Sequence, residues 1–88
     1  MYQVDKSDKL TEILTKLFRK DKNRYESVMK KMYEVACSEN IQHYKNLRAP
    51  KQHLKRVHLD SHFVLTFSVN ENQKIVKFID FQHHDSVY

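Results

Sequence analysis

LKRVHLDSHFVLTFSVNENQKIVKFIDF, residues 54–81, decides the fold of this chain. Val57 and Leu59 alternate with Arg56 and His58; Phe63, Leu65, Phe67 and Val69 alternate with His62, Val64, Thr66 and Ser68. A period of two is that of a strand with one face buried. Asp60 and Ser61 separate the first two runs, and NENQ separates the second from KIVKFIDF. That last run is apolar on both sides, which predicts a central strand. The stretch therefore reads as three strands in an antiparallel meander. Glycine is absent from the chain and proline occurs once. The turns must then be made by Asp60, Ser61, Asn70 and Asn72, types that tolerate turn backbone better than most.

Upstream, the period changes. Tyr2–Val4 is a short strand candidate, and Ser7 offers a helix cap with Asp8 in the first turn. Leu10, Ile13, Leu14, Leu17 and Phe18 form the stripe of one buried helical face, to about Arg19. Asp21 caps a second helix running to about Cys37 or Ser38, with Tyr25, Val28, Met29, Met32, Val35 and Ala36 on its apolar side. The short link predicts an antiparallel helical hairpin. From Asn40 the segment NIQHYKNLRAPKQH reads as a basic connecting loop, with Ala49 held extended by Pro50. The layout is β-α-α-β-β-β, an α+β fold in which the hairpin packs on one face of a mainly antiparallel sheet. The other face is expected to be open, with Arg56 and His58 on it.

The 88 residues give room for one domain, 1–88, with a modest core. Its lone cysteine, Cys37, excludes an internal disulfide framework and a Cys-rich zinc ribbon. The charged start and the lack of a long apolar run predict a cytoplasmic chain with no membrane span. The net charge of +5 is local. Residues 45–58 hold five cations, Lys45, Arg48, Lys51, Lys55 and Arg56, and no acid, with His43, His53 and His58 interleaved or adjacent. Such a patch suits a phosphate-bearing partner, although a basic loop can also be no more than a solvated one.

The chain closes on FIDFQHHDSVY, residues 78–88, which adds His83, His84 and Tyr88. Cations, histidines and a tyrosine on one sheet face are what RNA cleavage requires. The ribose 2′-hydroxyl attacks its own phosphate, so the protein supplies a base, an acid and positive charge, with neither metal nor cofactor. Each residue alone has a plainer reading: a solvated His58, or a Tyr88 that packs the tail. Adjacent histidines with Asp85 seldom converge on one metal ion.

The whole arrangement resembles the RelE/ParE superfamily of toxins from toxin–antitoxin modules. The similarity runs through the opening YQVDKSDKL, the loop YKNLRAP, the strands RVHLDSHFVLTFSV and the H-x-x-x-V-Y ending, which looks most like the RelE branch. The resemblance implies an mRNA interferase that cuts messenger in the ribosomal decoding site and is silenced by an antitoxin partner. It places Arg56 and His58 on the family's second-strand basic pair, His83 or His84 at the C-terminal basic position, and Tyr88 on the terminal tyrosine. The roles that follow are transition-state charge for Arg56, general base for His58, acid for His84 or His83, and base stacking for Tyr88. Lys45, Arg48, Lys51 and Lys55 would hold RNA. The family's third-strand arginine falls on Val64, so that phosphate clamp is missing unless Arg48, Lys51 or Lys55 supplies it from the loop. Two other readings stay open: a ParE-like protein that inhibits a topoisomerase by contact alone, and a catalytically degenerate interaction module.

Overall fold

The computed structural model describes residues 1–83. Strand β1 (Gln3–Lys6) leads into helices α1 (Asp8–Lys20) and α2 (Lys22–Ala36), a 3-10 turn (Ile41–His43), and strands β2 (Lys55–Leu59), β3 (Phe63–Asn70) and β4 (Ile75–His83). The sheet order is β1-β4-β3-β2, with β1 parallel to β4 and the other pairs antiparallel. This is the α+β layout expected. Among the described residues no helix is long and apolar enough to cross a membrane.

The helices start where side chains satisfy their first N–H groups. Ser7 Oγ accepts from Leu10 N at 3.0 Å, and Asp21 Oδ1 accepts from Arg24 N at 3.1 Å. Leu10 and Leu14 of α1 and Val28, Met32 and Val35 of α2 enter one core with Leu59, Leu65, Phe67, Val76, Phe78 and Phe81 of the sheet. Phe18 does not, although the stripe includes it, and remains 52% exposed. At 100° per residue it lies about 80° around the helix from Leu10. Its ring meets Tyr25 edge-on at 5.2 Å instead.

Phe78 and Phe81 both reach the core although they are three residues apart, a spacing a regular strand forbids. A bulge reconciles them. Thr66 pairs with Asp80 and Phe67 with Phe78, so Ile79 has no opposite residue. The Ile79 carbonyl takes a hydrogen bond from the Ser7 hydroxyl, and Ser7 N donates to Phe78 O at 2.9 Å. The bulge and the start of α1 are thus fastened together.

The turns use non-glycine residues in the left-handed region. Asp60 (φ 58°) and Ser61 (φ 60°) take it between β2 and β3, as expected. Between β3 and β4 it falls on Lys74 (φ 56°), not Asn72. Asn70 caps that turn, with Oδ1 accepting from Gln73 N at 3.0 Å, so the left-handed residue comes where the chain re-enters the sheet. Arg24 ties α2 to the first turn: it pairs with Asp21 at 3.0 Å, approaches Asp60 at 4.0 Å and lies 4.4 Å over the Phe63 ring.

The second turn is also linked to the N-terminus. The Tyr2 hydroxyl donates to the Glu71 carboxylate, and Lys74 Nζ is 3.6 Å from its other oxygen. The tyrosine hydrogen bond, aided by the Lys74 charge, holds the Glu71 carboxyl below the ordinary carboxylate range against a smaller opposing effect of burial. A folded value below the unfolded one adds stability above the ordinary range and loses it as pH falls through the lowered value. Tyr2→Phe is therefore expected to move the Glu71 titration upward, followed by carboxyl NMR. Ser7→Ala, which removes both the cap and the bond to Ile79, is expected to cost about 1–2 kcal/mol in urea unfolding. Thr15→Ala on the exposed face of α1 should stay within about 0.5 kcal/mol.

Candidate nucleic-acid interface

In antiparallel strands, residues directly opposite share a face. Arg56 pairs with Thr66 and His58 with Val64; Thr66 pairs with Asp80 and Val64 with Gln82. Those six lie on the face turned away from the helices, as Val57, Leu59, Leu65, Phe81 and Phe78 line the helical side. Arg56 and His58, two residues apart on an outer strand, stand about 6.6 Å from each other along the chain. His58 is exposed and Arg56 half-buried. Asp80 brings an acid to this face, but its carboxylate is engaged: Lys9 Nζ is 2.9 Å from Oδ2, and Phe81 N donates to Oδ1 at 2.9 Å. Its charge is thereby partly compensated.

The face is not wholly open, contrary to expectation. The loop after the 3-10 turn runs back along β2. Asn46 bridges Lys55, Arg56 N donates to Lys45 O at 2.9 Å, and Leu47 N donates to Leu54 O at 2.9 Å. Leu47 is buried and shares a cleft of about 110 Å³ with Lys51, Leu54, Val64, Thr66 and Asp80. An amphipathic loop with Leu47 and Leu54 on its inner side has apolar surface to bury, and this part of the sheet takes it. Val64 is fully buried, so an arginine there would have to bury its charge or displace the Leu47–Leu54 loop beside it. The departure at Val64 thus agrees with the loop beside it.

Lys45, Arg48 and Lys51 are exposed on this loop. Lys55, expected among the RNA-holding cations, is placed elsewhere. It pairs with Phe67 on the helical side and is only 8% exposed. Its Nζ donates to Tyr44 O at 3.0 Å, Asn46 Oδ1 at 2.9 Å and Gln42 O at 3.5 Å. Alternation explains the correction: Lys55 precedes Val57 and Leu59 by two and four residues, and so shares their face. It also cannot serve as the substitute phosphate clamp while held this way, whereas Arg48 and Lys51 are exposed. Arg56 is steered by the same loop, with Nη1 donating to Asn46 O at 3.0 Å.

His83 is a second correction. It pairs with Phe63, meets that ring at 5.4 Å and stacks near His62 at 6.3 Å, on the helical side of the sheet. The sheet separates it from His58, because the bulge shifts the alternation of β4 by one residue. His84 and Tyr88 lie outside the described residues. Conversely, His43 and Tyr44, read as loop residues, stand beside the pair. They line a pocket of about 280 Å³ at the edge of β2 with Lys45, Arg56, Val57 and His58. Only the three-residue spacing of Phe78 and Phe81 could have revealed Asp80; nothing local marks His43.

No family model matches the chain. A Methanocaldococcus jannaschii protein named "Putative toxin RelE4" is 48% identical over 88 residues, covering 100% of this chain and 92% of that protein. The chain belongs to the RelE toxin family. Solved RelE structures share its fold. The toxin–antitoxin complex RelBE2 from Mycobacterium tuberculosis matches with a TM-score of 0.77 at 16% identity, over 94% of this chain and 98% of that one. The isolated E. coli RelE toxin matches with a TM-score of 0.72 at 25% identity, over 94% and 84%.

In this RelE family member Lys55 serves the loop. Lys55→Ala leaves part-buried carbonyls without their donor and is expected to lower stability by roughly 1–3 kcal/mol. Lys45→Ala should change it by less than about 0.5 kcal/mol. Amide hydrogen exchange should localise the Lys55 effect to residues 42–47.

Proposed function

We propose that this RelE family member is a ribosome-dependent mRNA endoribonuclease that arrests translation, with Arg56 and His58 at its reacting centre. The observation that carries this reading is their placement: two residues apart on one strand face, His58 exposed and Arg56 half-buried, beside a loop carrying Lys45, Arg48 and Lys51 and no acid. His58 takes the proton of the ribose 2′-hydroxyl as its oxygen bonds to the adjacent phosphorus. The bond to the 5′-oxygen breaks, and that oxygen leaves with a proton, a part the resemblance gives to His84 or His83 and that falls to His84 once His83 stands on the other face. Arg56 offers its planar fork to the phosphorane oxygens, and the Asn46 carbonyl fixes the direction of that fork. The exposed loop cations add a salt-sensitive hold on the RNA backbone.

The partner is an antitoxin. The M. tuberculosis neighbour was solved as a toxin–antitoxin complex, and this reading extends such a partner to this chain. A contact-only inhibitor is the second reading, and one observation favours it: Val64, where the family resemblance places an arginine, is fully buried. Acid and base chemistry separates the two, since a histidine-driven reaction depends on pH between about 5 and 8, whereas a contact inhibitor need not.

Cell-free translation with 5′-end mapping of the messenger tests the proposal. Codon-phased cuts are expected with the wild type, reduced about 10²–10⁴-fold in His58→Ala and strongly in Arg56→Ala, with both variants keeping their circular dichroism. Messenger that stays intact while translation stops would reject the nuclease reading.

A further inference from the structure

We propose that His43, packed against Tyr44, is a platform for one base of a single-stranded RNA. The inference rests on the RNA-cleaving reading for its ligand, but its residues lie outside the Arg56–His58 pair. The two rings are 4.1 Å apart and tilted by 34°. Tyr44 in turn stands edge-on against Phe67 at 5.6 Å, and Phe67 is fully buried. The ring pair is thus seated on the core, while His43 at its outer end is exposed.

Its backbone is fastened on both sides of His43. Lys55 Nζ holds the carbonyls of Tyr44 at 3.0 Å and Gln42 at 3.5 Å. The imidazole is oriented as well. Its Nδ1 is hydrogen-bonded to the Asn40 carbonyl, which can only accept, so Nδ1 is the donor and the ring plane is set. An exposed aromatic ring that is held this firmly loses little freedom when a planar ligand stacks on it.

The surroundings identify the ligand. Lys45, Arg56 and His58 line the same pocket, and among the described residues that line it none is acidic. An aromatic floor with a cationic wall suits a base joined to phosphate. At about 280 Å³ the pocket is smaller than the roughly 300–1,000 Å³ clefts that enclose a whole ligand, which suits a single base laid against its edge. A base stacked on His43 would bring its sugar and phosphate toward Arg56 and His58. The platform therefore selects which nucleotide stands at the reacting pair.

Fluorescence anisotropy of the full chain with a labelled pentaribonucleotide and its abasic counterpart tests this directly. The ratio of the two affinities cancels contributions from charge. The wild type should prefer the strand with bases roughly ten-fold, within the range for one stacked base. His43→Ala should bring the ratio near one, and His43→Phe should restore it. Equal wild-type affinities, or a ratio that survives His43→Ala, would overturn the platform. The nuclease reading is judged separately by messenger cleavage: a platform that behaves as expected beside intact messenger rejects cleavage alone, and codon-phased cuts with an unchanged ratio reject the platform alone.

Discussion

Ile79, the residue of β4 without a partner across the sheet, sets which side chains share a face. With it, Phe78 and Phe81 fill one core; without it, one of them would have to leave. Burying a phenylalanine contributes about 1.5–3 kcal/mol, so the core supports the bulge as much as the bulge serves the core. The shift also sends Asp80 and Gln82 to the face of Arg56 and His58, and His83 to the opposite one. Ser7 completes the arrangement, joining the bulged carbonyl to the first turn of α1. One extra residue thereby couples the helix start, the core and the composition of the site.

A similar economy appears in the loop before β2. A lysine that reads as a solvated cation instead spends its three donors on loop acceptors, and its charge is met by carbonyl dipoles and an amide, with no acidic partner among the described residues. The consequence reaches both ends of the interface: Tyr44 is held on one side, and the strand that carries Arg56 on the other. The positive patch in the sequence is thus divided in the fold between cations that face outward and one that organises the others.

Much of the fold was legible because local rules and tertiary packing agreed. The alternation of Phe63, Leu65 and Phe67, the caps at Ser7 and Asp21, and the turn at Asp60 and Ser61 each follow from a short stretch of residues. The site was legible only in part. Arg56 and His58 fall on one face by simple alternation, whereas His83 depends on a bulge two strands away from them. Lys55 required knowing where β2 begins, and the covering of Val64 required the path of a loop whose Leu47 and Leu54 carry no periodic signal. His43 is next to Arg56 through space alone.

β1 pairs only with Ile75–Phe78, so the outer border of β4 beyond that point has no strand beside it among the described residues. Such a border is a template on which another copy can add its own strand and begin an aggregate. Here its hydrogen-bonding groups are already partly occupied from within: the Ile79 carbonyl by a serine hydroxyl, the Phe81 N–H by its neighbour's carboxylate. The Lys9–Asp80 pair places charge along the same border. The contacts that locate the first helix therefore also discourage copies of this chain from joining through their sheets.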